Sequence, residues 1–350
     1  MAAVIDQPAT GTAAKRPVRA ELIDELVARY GVGKNYARAY IEYWQESRGR
    51  QEETLAGIMA RPDPEPMWFD YALSTNYRGR NLYAHFQPHF GERRGRYLDV
   101  GCGFGGCLTA FAERGFDVWG IEVAPERIAL SIANCADIGL SGRVSRDDIT
   151  DPAIVQRLGQ FDVITCTDVI EHVLDVPGAL RNMSRMLRPG GTLILEIPNM
   201  DSVAFVCSDG HFNLFGITQI DRPTAIEYHR ASFDFDYDVG YYHPLRYYVN
   251  ELRTLGLAAE GFASPQHAPR APMDWAGQRA MIWEAYQRFR ASGAKRVSPT
   301  VSRTLRHAVA RYAAELRRNH WRRAAGLLPE GRFATRYLTD FWFLVGKSPE

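Results

Sequence analysis

The run Tyr97-Leu98-Asp99-Val100-Gly101-Cys102-Gly103-Phe104-Gly105-Gly106 constrains the fold of this 350-residue chain more than any other segment. A short apolar stretch followed by four glycines predicts a strand, a tight turn and then a helix over Cys107–Arg114. Glycine is needed where the backbone takes positive φ or approaches a ligand within contact distance. Alone, Gly101-x-Gly103-x-x-Gly106 also fits a dinucleotide-binding turn. A second strand, Asp117–Ile121, ends in Glu122. A carboxylate placed about twenty residues after the first glycine can accept hydrogen bonds from both hydroxyls of a ribose.

Further elements follow in order. Arg146-Asp147-Asp148-Ile149 offers a carboxylate beside an apolar residue, suited to an adenine amino group and ring face. Then come Phe161-Asp162-Val163-Ile164-Thr165-Cys166-Thr167-Asp168-Val169-Ile170-Glu171-His172-Val173 and Leu187-Arg188-Pro189-Gly190-Gly191-Thr192-Leu193-Ile194-Leu195-Glu196-Ile197-Pro198-Asn199. This ordered series resembles the class I S-adenosylmethionine-dependent methyltransferases, in the group containing the ubiquinone-type O-methyltransferases and many sugar methyltransferases. The likeness spans Arg93–Asn199 and resumes near the C-terminus. A nicotinamide dehydrogenase accounts for the glycines but not for Asp-x-x-Glu-His or Arg-Pro-Gly-Gly. The resemblance implies S-adenosylmethionine as cofactor, held by Asp99, Gly101, Cys102, Gly103, Gly105, Glu122, Val123, Asp148, Ile149, Thr167 and Asp168.

Alternating strands and helices from Arg96 to Pro198 predict an α/β fold, a doubly wound parallel sheet with helices on both faces. The resemblance implies seven strands, the last antiparallel. Residues 1–17 read as a disordered arm and 18–92 as an N-terminal helical cap, with helices over Ala20–Arg29 and Lys34–Arg48 and an aromatic helix near Asn81–Phe90. The cofactor-binding core is expected over 93–200, and an aromatic and His-rich substrate cap over 201–250. Residues 251–263 continue the core with a helix and a sixth strand. The seventh strand is expected at Phe341–Gly346, within 339–350. A helical insertion, 264–338, with helices near Trp275–Ala291 and Val301–Ala325, therefore interrupts what is a hairpin in the resembled family.

Composition limits the partners. Formal charge is +1 and hydrophobic content 46%, so no global field favours nucleic acid. No Asn/Asp-Pro-Pro-Tyr-type base-flipping motif follows the fourth strand. No run approaches the roughly 20 apolar residues of a membrane span, and residues 1–19 lack a signal-peptide pattern. The five cysteines show no metal spacing. A cytoplasmic location is expected, with a small-molecule or glycan partner; the oligomeric state is left open, a homodimer included. From Lys295 to Arg336 eleven basic residues face two acidic ones, which fits either a docking face or one solvated side of a helix.

The candidate catalytic residues are Glu171, His172, His211, His229 and His243. Helical spacing predicts Asp168, Glu171 and His172 on one side. In the resembled O-methyltransferases a similar acidic-x-x-Glu-His set accompanies a divalent metal; Asp168 stands where that pattern often has Glu, so a divalent metal is an alternative here but not the favoured reading. A histidine can instead take the proton of a hydroxyl as it is methylated. His172 or a cap histidine is expected to be that base. The function expected is O-methylation of a hydroxyl on a sugar, glycan or specialised metabolite. N- or C-methylation of an aromatic or lipid-like molecule, and cofactor binding without transfer, remain alternatives.

Overall fold

The computed structural model describes residues 18–49, 54–62, 65–264 and 270–350. The arm expected over 1–17 lies outside them. Among the described residues the chain forms seven strands, hydrogen-bonded in the order β3-β2-β1-β4-β5-β7-β6. It groups into two compact units: residues up to 166 with 181–194 and 347–350, and residues 167–180 with 195–346.

The first unit opens with α1 (Ala20–Tyr30), α2 (Lys34–Arg48), α3 (Leu55–Met59), α4 (Glu65–Leu73) and α5 (Thr75–Phe90). In α2, Tyr36, Ala37, Tyr40, Ile41 and Trp44 are buried, the i, i+1, i+4, i+5, i+8 stripe of a one-sided amphipathic helix. They form a cluster with Leu22, Leu26, Phe69, Leu73 and Leu130. The Asp137 carboxylate accepts from the backbone N–H of Asn35 and of Tyr36, both at 2.9 Å, and so neutralises free donors at the start of α2. The aromatic helix expected near Asn81 begins earlier, at Thr75.

The parallel strands follow: β1 (Arg96–Val100), α6 (Gly106–Ala112), β2 (Asp117–Glu122), α7 (Pro125–Ala136), β3 (Val144–Arg146), α8 (Ile154–Leu158) and β4 (Phe161–Thr167). β1 pairs in parallel with β2, Asp99 opposite Gly120, and with β4, Asp99 opposite Thr165. Four of the five β1 residues are buried, Asp99 among them, as expected of a central parallel strand covered on both faces. Glycine is required where α5 crosses α6: a Cβ on Gly79 would stand 2.1 Å from the Gly106 carbonyl oxygen.

The chain continues with α9 (Val176–Arg185) and β5 (Leu187–Pro198), so the Arg-Pro-Gly-Gly segment lies inside the strand. The second unit then builds the cap from α10 (Val203–Cys207) and α11 (Arg222–Arg230), followed by α12 (Leu245–Thr254) and β6 (Ala258–Ala263). The insertion holds α13 (Trp275–Arg288), α14 (Pro299–Ala324) and α15 (Glu330–Tyr337), one helix more than the sequence pattern predicts. β7 (Phe341–Lys347) is antiparallel to β5: Asn199 N–H bonds Asp340 C=O, and Ser348 N–H bonds Gly191 C=O, so residue numbers rise on one strand as they fall on the other. Ser264 N–H bonds Phe341 C=O on the β6 side.

Candidate active site

In the first unit the glycine turn takes the conformation that only glycine adopts without strain. Gly101, Gly103 and Gly105 have φ of 70°, 52° and 80°. Glu122 is buried and holds this turn. Its Oε2 accepts from Gly103 N–H at 3.1 Å, and Oε1 accepts from Val123 N–H at 2.8 Å and Ala124 N–H at 3.0 Å. A carboxylate has about four acceptor positions, so capacity remains for a ribose hydroxyl. Asp99 is buried, and its Oδ1 accepts from the Thr165 hydroxyl at 2.9 Å. Burial pushes its carboxyl up to about 7. Cys102 is a buried thiol and Val123 is exposed.

Of the two adjacent carboxylates, Asp147 is taken by Arg157 and by the Ser145 hydroxyl at 2.6 Å. Asp148 is exposed and accepts from Thr150 N–H and Oγ1, both at 2.8 Å, through one oxygen. Ile149 beside it is buried.

The second unit assembles a different group. Asp168, just past β4, takes the left-handed conformation at φ 54°, rare for a residue with a side chain, and its N–H donates to the Glu196 carbonyl at 3.2 Å. Residues 170–172 form a 3₁₀ turn rather than an α-helix. Glu171 and His172 converge with His211 from the cap, and the charge of Asp168 acts on both Glu171 and His211. One ligand atom from each of Glu171, His172 and His211 lies within 4.8 Å of the others. Glu171 Oε1 is 3.6 Å from His211 Nε2 and 3.8 Å from His172 Nε2. Both Glu171 oxygens and both Nε2 atoms are buried and make no hydrogen bond.

The outer nitrogens are satisfied. His172 Nδ1 donates to the Asp238 carbonyl oxygen at 3.1 Å. His211 Nδ1 is 2.8 Å from Tyr242 Oη. Burial pushes the Glu171 carboxyl up to about 7, a rise that neighbouring His172 opposes. Burial also holds His211 well below the usual histidine range, so it is neutral near pH 7. Glu196, also buried, accepts from the Ser264 hydroxyl at 3.0 Å, and burial followed by the charge of Asp168 raises its carboxyl far above the usual range.

The cap loop 238–242 lies on the 3₁₀ turn through Gly240 N–H and Tyr241 N–H, which donate to Glu171 C=O at 2.6 and 3.2 Å. A Cβ on Gly240 would stand 2.7 Å from the Val173 carbonyl oxygen, so this approach requires glycine. The other cap histidines lie elsewhere. His229 is enclosed by Phe212, Phe233, Phe235 and Tyr237, and burial lowers its pKa. His243 stacks on Tyr247 with ring centroids 3.9 Å apart. Asp209, Gly240 and Tyr242 emerge as site residues only here. Their one signal in sequence was membership of a segment unusually rich in Asp, Tyr and His.

A methyltransferase domain family model matches residues 75–260, more than half of the chain. The chain belongs to that family, and with its sheet order it is of the class I, S-adenosylmethionine-dependent type. The ubiquinone biosynthesis O-methyltransferase of Pseudomonas aeruginosa is 33% identical over 112 residues, 32% of this chain and 47% of that protein. The enzyme of the same name from Methylococcus capsulatus is 33% identical over 140 residues, 39% of this chain and 58% of that one. The chain thus spans about half the length of the curated relatives it matches. Among solved structures, an S-adenosylmethionine-dependent methyltransferase from Archaeoglobus fulgidus is 11% identical, covering 81% of this chain and 98% of its own, with a TM-score of 0.45. No helix among the described residues is long and apolar enough to cross a membrane.

Proposed function

We propose that this protein transfers the methyl group of S-adenosylmethionine to a hydroxyl oxygen of a sugar, glycan or specialised metabolite. The observation that supports this reading is the buried, unpartnered Glu171, His172, His211 group. Two carboxylate oxygens and two imidazole Nε2 atoms face one another without a hydrogen bond. Such a set is costly unless a ligand fills it, and a substrate hydroxyl can both donate to it and accept from it. Glu122, the glycine turn and Asp148 hold the cofactor. Methyl transfer is an in-line displacement, so positioning of the acceptor oxygen supplies most of the acceleration. As the oxygen bonds the methyl carbon and the C–S electron pair returns to sulfur, His211 Nε2 takes the hydroxyl proton. Glu171 and His172 orient that hydroxyl, and Glu171 faces the imidazolium formed.

A second reading uses the same atoms. Their convergence within 4.8 Å also suits a divalent cation, which when bound would supply Lewis acidity to the acceptor oxygen. The test is transfer of labelled methyl from the cofactor to panels of hydroxylated, amine and carbon acceptors, with EDTA and with added magnesium. Label found on oxygen, and unaffected by EDTA, supports the first reading. Label confined to nitrogen or carbon would sink it.

A further inference from the structure

We infer that Asp209 and Tyr242 are positioning residues that fix the tautomer of His211, leaving its Nε2 lone pair turned toward Glu171. This rests on the reading of His211 as the group that receives the acceptor's proton. Three side chains of the cap stand in line, Asp209 and His211 buried and Tyr242 half-buried. Asp209 is fully buried in the cap and accepts backbone N–H bonds from His211 at 2.9 Å, Phe212 at 3.1 Å and Leu214 at 2.7 Å. Tyr242 Oη is 3.4 Å from Asp209 Oδ2 and 2.8 Å from His211 Nδ1. The His211 side chain is 2% exposed, and its Nε2 is the unpartnered atom 3.6 Å from Glu171 Oε1.

The proton count decides the tautomer. An ionised carboxylate only accepts. Both Asp209 oxygens accept backbone N–H bonds, an arrangement that favours the ionised carboxylate. The single Tyr242 proton is drawn to that charge. The 2.8 Å contact between Tyr242 Oη and His211 Nδ1 then needs its proton from the imidazole, so Nδ1 carries hydrogen and Nε2 is bare. When Nε2 takes a proton from the acceptor hydroxyl, the positive charge is shared along Nδ1–H to Tyr242 and from Tyr242 to Asp209. The acceptor loses one proton, His211 gains it, and release to solvent restores the neutral ring.

Asp209→Asn reverses the chain of donors. With the amide nitrogen in the place of Oδ2 it faces Tyr242 and donates to it, the oxygen keeps the bonds from Leu214 and Phe212 N–H, and the bond from His211 N–H is given up. The Tyr242 hydroxyl must then donate to Nδ1, and the His211 proton moves to Nε2. A wrong tautomer of this kind removes base catalysis while leaving the site's shape intact.

The experiment is ¹⁵N spectroscopy of the full chain labelled at histidine, on wild type, Asp209→Asn and Tyr242→Phe, with His211→Gln to assign the resonance. The expected result is hydrogen on Nδ1 of His211 in wild type and on Nε2 in Asp209→Asn. In Tyr242→Phe the two tautomers should mix. With a methyl acceptor in hand, kcat should fall roughly 10–100-fold in both variants, with KM for S-adenosylmethionine changed less than about threefold. Wild type carrying its proton on Nε2, or a tautomer unchanged in folded Asp209→Asn, would overturn the inference. If Asp209→Asn does not fold, an unchanged tautomer in Tyr242→Phe overturns it equally. Tautomers that move as stated while turnover does not would uphold the relay and remove His211 from the proposed reaction.

Discussion

His211 Nε2 stands 3.6 Å from Glu171 Oε1, beyond hydrogen-bond reach, with both atoms buried. The two are held apart from outside. Gly240 and Tyr241 bind the Glu171 carbonyl, and Tyr242 binds the far nitrogen of His211. Neither atom satisfies the other, and that spacing directs the predictions about chemistry.

Removing either imidazole should disable the reaction without disturbing cofactor binding. His211→Ala is expected to lower kcat roughly 10²-fold or more, as loss of a general base does, and His172→Ala to lower it by at least about tenfold. Activity should survive EDTA. Steady-state assays on a competent acceptor check this, and loss with EDTA restored by magnesium would assign the three residues to a metal.

Gly240→Ala should act at a distance from the chemistry. The added methyl meets the Val173 and Glu171 carbonyl oxygens, so the loop carrying Asp238 and Tyr242 must lift. Overpacking of this kind costs about 1–3 kcal/mol. A lowered thermal midpoint together with at least tenfold lower kcat is expected; a variant with wild-type turnover would show that the loop does not set the histidines.

Glu122 joins the glycine turn to the end of β2 through three backbone bonds. Glu122→Ala is expected to weaken S-adenosylmethionine binding by about 1–3 kcal/mol, read by titration calorimetry. Unchanged affinity removes the residue from the cofactor site.

Asp99 predicts a pH effect on stability. Its carboxyl moves from an ordinary 3.8 to about 7 through burial. Between those values the folded chain holds a proton that the unfolded chain has lost. The associated stability is full below the lower value and is lost as pH rises through the upper one. Glu171, up to about 7, and Asp209, up to about 6, act in the same direction. Asp99→Asn should therefore show a smaller fall in thermal midpoint from pH 4.5 to 8 than wild type, corresponding to a stability difference of up to about 3 kcal/mol. Parallel curves would show that Asp99 is ionised throughout.

The parallel half of the fold was legible because its signals are local. Glycines at positive φ, apolar strands buried on both faces and a carboxylate at the end of β2 each appear within a few neighbouring residues. β7 was legible for the same reason, as an apolar run ending in Gly346. The site was legible only in part. Glu171 and His172 adjoin a recognisable motif, but their partner His211 lies far along the chain and comes from a segment without periodicity. Asp168 shows where the geometry differs from the spacing rule: at φ 54° it ends the strand, and residues 170–172 form a 3₁₀ turn rather than the start of an α-helix. His229 and His243 were indistinguishable from His211 in sequence, because only packing separates a ring in an aromatic core from one facing an open lone-pair cluster.

β7 lies between β5 and β6 in the sheet, yet residues 264–340 are threaded between β6 and β7. The order of synthesis is therefore not the order of assembly. A nascent chain that has emerged through β6 carries two strand edges with nothing between them until three more helices have left the ribosome. Closing so long a loop late is slow, and unpaired edges invite pairing with another chain. The same separation leaves this protein dependent on protection during its own translation to a degree that a version with a direct β6–β7 hairpin would not be.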